Sequence, residues 1–562
     1  MGGDCGAPIV VFCDTLIQQV AATNFNTCIS ELKLNNQSTY GGLDNNRQSV
    51  PMANATAITY ELCRVACGTA QEPFTWTNFS QQFSAWLLPY LALISQLPFG
   101  AKHRLDNLMS VFLTVGSPAL AGYSLVLTVL NARWVTRRFE AVSYPNKGYA
   151  VRILNGLQHA PLRIASEDSL LSSLVLLPHN DDWWCELADY LDYTHTWSIS
   201  AATSIVWVIV AFIFTVVDSL GNVSDNINSN GQAVGSIWLW LLPIVIGWLQ
   251  LSPKCDSARL RIAITRANAI AFVASDHGVV KASAISNRRA VSIDALSEGS
   301  LSSADEDRSP PIYNYARSLH WSHSAEEVLT AFHMASKNAS AHRPVDPGVL
   351  WQEGDKGNDI HPDNRVGSPE AVDAYCQLPQ YTIRSRWAAG VFSRMAIASL
   401  ISLVMQWGTT GAAIIVVWFT PTIGLGCRSG SFVLYGVLST LVWIMLVTSS
   451  ILVHYSSYSQ QSLSARLAAL GAKQLNWMGK FVAIFNSVWI VAICVFQFSN
   501  VFDTCYCNSS VLGLGKNAFD VITLSAQELG IIRGSWIGGL VMASVCSIGF
   551  ISLMNLLVDP SN

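Results

Sequence analysis

Five acidic residues stand in HNDDWWCELADYLDYTH, and Asp182, Glu186 and Asp189 recur there at helical spacing. Carboxylates grouped in this way at a membrane surface could hold Mg2+ and a diphosphate through hard oxygen ligands. Membrane prenyl-transfer enzymes use two aspartate-rich motifs that face each other. The only comparable run, ADEDR around Asp305, is set among serines and leads into no apolar stretch. Acidic residues also suit the start of any helix, because the helix dipole favours them. A solvated helix face therefore explains the cluster without a metal.

A second group is neutral. Gln406, Thr409 and Thr410 lie inside SRMAIASLISLVMQWGTTGAAIIVVWFTPTIGLGCRSG, with Gly408 and Gly411 beside the threonines and Pro421, Gly424 and Gly426 beyond. At about 1.5 Å per residue this stretch is too long for one straight span, and its glycines suggest a helix broken midway. Irregular backbone at membrane depth is tolerated only where protein or a water-filled cavity satisfies it. Gln406, Thr409 and Thr410 are thus candidates for a solute or ion pathway. A kinked helix packed through small residues is the alternative.

Other residues bear on compartment more than on catalysis. Of 13 cysteines, Cys5, Cys13, Cys28, Cys63, Cys67, Cys427, Cys505 and Cys507 fall in segments that the topology below places outside, where disulfides persist. Cys427 is expected to bond Cys505 or Cys507. Glycosylation acceptors occur at Asn36, Asn54, Asn78, Asn222 and Asn508 on that side, with Asn338 alone on the other. His320, His323 and His333 have no cysteine or carboxylate at zinc-finger spacing. The P-loop, HExxH, GxSxG and GxGxxG patterns are absent, which argues against an ATP-driven pump. No cofactor is called for.

The elements that carry these residues follow from composition. Of 562 residues, 51% are hydrophobic and 12% charged, about half the charged fraction of an ordinary soluble domain. The apolar residues gather in uncharged blocks, and a span needs about 20 of them. Seven stretches qualify: 107–130, 197–220, 234–251, 388–420, 432–454, 481–498 and 536–558. An eighth, 83–99, is shorter and contains Pro89, Gln96 and Pro98. The fold expected is an all-α integral membrane protein with seven transmembrane helices plus one interfacial or re-entrant helix, eight spans being the alternative.

Lys and Arg near span ends stay cytosolic. With the N-terminus outside, loops 131–196, 253–387 and 455–480 carry 24 basic residues, against 8 in the outside segments. The organisation expected is a glycosylated, cysteine-containing cap over 1–82 and the interfacial helix with the first span over 83–130. A cytosolic loop over 131–196 and two spans over 197–252 follow. Next come a large, partly unfolded cytosolic loop over 253–387, four spans over 388–558 and a short tail at 559–562. Within the large loop, SARLRIAITRANAIAFVA suggests an amphipathic helix on the inner leaflet, and 291–313 an unfolded kinase target. SAEEVLTAFHMA suggests a short helix capped by Ser324. The middles of the spans hold no ionisable group: Asp218, Arg394, His454 and Asp559 lie near ends, within snorkelling reach of water. That argues against buried proton relays and voltage sensing.

The stretches QLPFGAKHRLDNLMSVFLTVGSPALAGYSL and QWGTTGAAIIVVWFTPTIGLGCRSG resemble those of uncharacterised multi-pass membrane proteins of filamentous fungi. The resemblance covers most of the membrane part. It implies a fungal plasma-membrane or endomembrane setting and brings no activity or site residues. Three classes of function are carried forward. They are transport or channel activity through a broken fourth span, a seven-helix receptor or sensor, and a membrane enzyme using the acidic cluster. The partners expected are the lipid bilayer, a small-molecule or ion ligand, kinases at 291–313 and a second copy of the chain. A formal charge of -4 offers no basic surface for nucleic acid.

Overall fold

A computed structural model describes Cys28 and residues 41–558, apart from 70, 102–103, 194–196, 225, 228–229, 286–287, 294–308, 355–359, 378–386 and 458–461. In chain order, the first elements are strands β1 (Gly42–Leu43) and β2 (Ala57–Thr59) and helix α1 (Tyr60–Cys67), whose first turn is capped by Thr59. Helix α2 (Trp76–Gln82) runs through a π-turn at Phe83–Leu87 into α3 (Leu88–Ile94). Two helices then meet at a sharp corner, α4 (Arg104–Gly116) and α5 (Pro118–Glu140).

Next come α6 (Lys147–Gly156), β3 (Arg163–Ile164), α7 (Leu170–Leu176) and α8 (Asp181–Leu191). They are followed by α9 (Ile199–Gly221), α10 (Ala233–Trp238) and α11 (Leu241–Leu251). After these lie α12 (Ser257–Ala269), β4 (Phe272–Ser275), β5 (Gly278–Lys281), β6 (Val291–Ser292), α13 (Ser318–Ser340) and α14 (Pro369–Cys376). The last long helices are α15 (Val391–Trp418), α16 (Cys427–Ser457), α17 (Leu463–Phe498) and α18 (Ala526–Val558), with β7 (Phe519–Val521) between the final two.

Among the described residues, six helical units are long and apolar enough to cross a membrane: α9, α10–α11, α15, α16, α17 and α18. Only helices and closed barrels satisfy every backbone group in hydrocarbon, and these sequences supply the apolar surface. The chain is therefore read as a multi-pass membrane protein.

The first crossing expected at 107–130, with a kink at Gly116, Ser117 and Pro118, is bent there by 104° between α4 and α5. Pro118 has no N–H to continue the helix, and Ser117 caps the new one, its Oγ accepting from Leu120 N at 3.3 Å. Gly116 allows the corner to form against α17, since a methyl group there would collide with the Ala483 carbonyl. Asn486 Nδ2 also donates to Gly116 O at 2.8 Å, and Tyr435 OH to Val115 O at 2.9 Å.

The stretch 83–99, expected to be interfacial or re-entrant, lies within 72–100, which extends from the cap end to the start of α9. At one end Glu72 N donates to Asp503 O and Asn500 Nδ2 to Pro73 O. At the other, Gln96 Nε2 lies 3.5 Å from Ser200 Oγ at the start of α9, and Gly100 rests on Cys255, just beyond α11. Between them Tyr90 OH donates to Gly235 O at 3.1 Å.

The expected break in 388–420 is also absent: α15 is one helix over 28 residues. Gly408 lies against Cys546, and Gly539 of α18 faces the Ala412 carbonyl. These small residues let two helices approach closely, so the glycines serve packing and the chain turns only after Trp418.

The two ends of the bundle differ. At the cap end β1, β2 and β7 form an antiparallel sheet in that order, joining residues 42–59 to 519–521. At the other end a second hydrophobic core is built from α6, α7, α8, α12, α13 and α14, with two small two-stranded sheets. Among the described residues, parts of 135–191, 260–293 and 321–376 thus fold together around Trp183, Trp184, Trp321 and Phe332. The basic helix α12, expected on lipid, buries Leu260, Ala263, Ile264 and Ala267 in this core. Helix α13 is longer than expected, so Ser324 lies inside it, buried. The ends of 291–313 are ordered as β6 and as the buried turn from Ser309, while 294–308 lie outside the described residues.

Candidate functional site

Gln406 is fully buried at the corner of α4 and α5. Its Oε1 accepts from Ala119 N at 3.0 Å and Ser439 Oγ at 2.6 Å. Its Nε2 donates to Gly436 O at 2.9 Å and Thr440 Oγ1 at 3.1 Å. The first N–H groups of a helix have no partner within it, and an N-terminus stranded in a bundle must find one elsewhere. Gln406 supplies it for α5 while tying α15 to α16. With both oxygen acceptor sites and both N–H donors used, the amide has nothing left to offer a solute.

The other two pathway candidates differ from each other. Thr409 Oγ1 bonds within its own helix, 3.1 Å from Met405 O and 3.2 Å from Gln406 O. Thr410 Oγ1, buried beside Gly436, has no hydrogen-bond partner among the described residues. The structure brings the three together as one packed polar layer with Ser117, expected only as part of a kink, and Ser439, which the sequence reading had not singled out. A serine before a proline was the available signal for the cap.

A second buried node joins bundle to domain. Arg394, expected to snorkel, is buried; its Nε donates to Asn131 Oδ1 at 2.9 Å and its Nη2 to Ser322 Oγ at 3.0 Å. The guanidinium lies 4.2 Å from the centre of the Trp134 ring, a favourable cation–π placement. Nearby, Asn314 Nδ2 donates to Thr128 Oγ1 at 3.0 Å and Ser450 Oγ to Tyr315 O at 2.6 Å. His159 Nδ1 lies 2.9 Å from Pro311 O, and burial pushes that imidazole down to about 4, so it is neutral at pH 7. His454, also expected near water, is buried, its ring 5.4 Å from that of His320.

The acidic helix α8 points its chemistry outward. Trp183, Trp184, Leu187, Ala188 and Leu191 are buried, which leaves Asp182, Glu186 and Asp189 exposed along the opposite face. Among the described residues no three His, Cys, Asp or Glu side chains converge as a metal site. Asp181 does have a partner: Arg365 Nη1 and Nη2 grip its two oxygens at 2.9 and 2.6 Å. This bidentate pair holds 365 against the start of α8.

At the cap end the turn between α15 and α16 borders a small open cleft of about 20 Å³. Asn230, Thr420, Thr422, Arg428, Ser429, Asn508 and Ser510 line it, with the Cys427–Cys507 disulfide at its wall. Arg428 pairs with Asp503, while its Nε finds no acceptor among the described residues. Asp520 on β7 is pushed up to about 7 by desolvation and by Asp503, against the pull of Arg428. Hydroxyls, amides and one guanidinium in an open concavity can bind a small polar molecule.

Two further disulfides staple the cap, Cys28–Cys67 and Cys63–Cys505, the second joining residues 442 apart in sequence. Cys5 and Cys13 lie outside the described residues, as does Asn36. Asn54 and Asn222 are exposed at the cap end, Asn508 is half-buried at the cleft, and Asn78 stands on α2. Asn338 is at the domain end, its Nδ2 donating to Tyr375 O at 3.0 Å.

No family model matches the chain, and no curated protein or solved structure was found to be similar to it.

Proposed function

We propose that the chain is a membrane sensor that passes a condition read at its cap to the folded domain at its other end. The observation that carries this reading is helix α5. Its first half, Leu120 to Val129, belongs to the bundle core, and Val135 and Phe139 of its second half belong to the domain core. Close-packed cores respond to displacement by discrete repacking, so a helix held in both cannot move in one without disturbing the other. Its N-terminus is tied through Gln406 to α15 and α16, whose connecting turn borders the cleft. The ligand class that suits the cleft is a small polar molecule or ion.

In this reading the cap is outside and the domain cytosolic. Disulfides, three of the described glycosylation acceptors and the scarcity of basic residues at the cap end support that orientation. The stretch 76–99 is then the first of seven crossings, followed by α9, α10–α11, α15, α16, α17 and α18. The α4–α5 hairpin enters from the cytosolic side and returns to it. This arrangement keeps the N-terminus outside and the C-terminus cytosolic, in a plasma membrane or endomembrane.

The test is hydrogen exchange on the full chain in lipid nanodiscs, comparing wild type with a Cys427→Ser/Cys507→Ser variant that loosens the cleft. A sensor shows altered protection in 131–140 and 309–322, at the far end; unchanged exchange there removes the coupling. A transport reading keeps one observation in its favour, the unpartnered hydroxyl of Thr410 beside the corner. Solute flux in vesicles that falls in a Thr410→Val variant of unchanged stability would favour transport instead.

A further inference from the structure

The first half of α17 presents an unusual surface. Arg466, Lys473 and Lys480 recur every seven residues, which returns each to nearly the same side of a helix. Beside that basic edge runs an apolar one, with Leu463, Leu470 and Phe481 well exposed, and Trp477, 70% exposed, between the two. The opposite face is occupied: Ala472 O accepts from Ser449 Oγ at 2.8 Å, and Gly479 rests on Leu446. No acidic residue stands anywhere in 455–502, so the positive edge has no counter-charge on its own helix.

Depth distinguishes this surface from an ordinary solvated face. Ser449 lies 22 residues after Cys427 on α16, about 33 Å along the axis, close to the roughly 30 Å thickness of the hydrocarbon. With Cys427 placed at the outer boundary, the Ser449 partner Ala472 falls near the inner one, with Lys473 beside it and Trp477 about 8 Å further in. Arg466 lies on the water side. Two cations at the boundary, followed along the same face by a tryptophan and exposed leucines, match a lipid with a negative headgroup and two acyl chains, not a soluble anion.

We propose that this face of α17 binds anionic phospholipid of the leaflet at the domain end. Phosphate and carboxylate oxygens meet Arg466 and Lys473, while the acyl chains lie along Leu470, Trp477 and Phe481. The inference rests on the multi-pass reading and on the orientation proposed above, yet it can be tested independently of any sensing.

The full chain in detergent is titrated with phosphatidylserine, phosphatidylcholine or water-soluble glycerophosphoserine, and bound lipid is counted by native mass spectrometry while thermal unfolding is followed. Phosphatidylserine is expected to bind and raise Tm, with phosphatidylcholine far weaker and the tail-less headgroup without effect. An Arg466→Gln/Lys473→Gln variant should lose about 25-fold in apparent affinity, from about fivefold per cation near a charged surface. The charge-preserving Arg466→Lys/Lys473→Arg variant should keep it and shows that the fold tolerates change there. Equal binding of phosphatidylserine and phosphatidylcholine, undiminished binding in the glutamine variant, or binding of the soluble headgroup alone would each overturn the proposal. Loss of Tm response only after reconstitution with sidedness reversed would leave the lipid site standing and count against the orientation.

Discussion

The bundle interior and the cap cleft are both lined by serine, threonine and amide side chains, but they use them in opposite ways. Around Gln406 the donors and acceptors face one another: four hydrogen bonds converge on one side chain, and the corner of α4 and α5 is held in place. Around Arg428 the same kinds of groups line an open cavity, and one guanidinium N–H is left without an acceptor. A polar residue at membrane depth is therefore a poor indicator of a pathway until its partners are known. Where no water can substitute, an unsatisfied group is costly, and the chain closes its polar layer; where water is at hand, it can leave groups open for a ligand.

Four experiments probe this contrast, each by thermal unfolding of the purified full chain unless stated otherwise. The largest effect is expected for Gly116→Ala, which drives a methyl group into the backbone of α17. Backbone cannot swing aside as a side chain can, so the loss should approach about 3 kcal/mol, the upper part of the overpacking range. Next, Gln406→Leu removes four intramembrane hydrogen bonds at about 0.6 kcal/mol each, a loss of about 2 kcal/mol. A Gln406→Leu chain as stable as wild type would mean that the interior layer is not a structural clamp, and the contrast with the cap would fail.

The cap should respond to pH where the interior does not. The folded Asp520 carboxyl titrates at about 7, above its ordinary value of 3.8, so the native state holds a proton that the unfolded chain has released. Stability of the cap then falls as pH rises from about 4 to 7 and levels off above. Limited proteolysis of 499–525 across that range should show increasing cleavage, and Asp520→Asn should flatten the profile; a flat wild-type profile would deny the shift. The smallest change belongs to Thr409→Val, whose hydroxyl bonds only to its own helix. Its cost should stay below about 0.6 kcal/mol, and a loss comparable to Gln406→Leu would show that Thr409 belongs to the clamp.

Several features were legible before any coordinates. The apolar blocks locate the long helices because hydrocarbon imposes a length and forbids charge, and six of those helical units are present. The outer cysteines were grouped correctly to the extent that Cys28, Cys63, Cys67, Cys427, Cys505 and Cys507 pair among themselves. The glycines of α15 misled, since Gly408 looks the same in a sequence whether it breaks a helix or admits Cys546. Within 321–376 only the short helix at SAEEVLTAFHMA was expected, because the apolar residues there are spread among polar ones. Their core is completed by α6, α7, α8 and the end of α5, over a hundred residues earlier.

The amino-acid sequence by itself determined that this chain belongs in a membrane, which stretches can cross it, and where the scarce charge must lie, because those follow from local transfer free energies. Tertiary structure alone decided which polar groups are spent on one another and which remain open. It also decided that 107–130 turns back as a corner at Gly116. A corner at Gly116 is stable only when Asn486, Tyr435 and Gln406 arrive from distant helices to satisfy it, and no local pattern encodes their arrival.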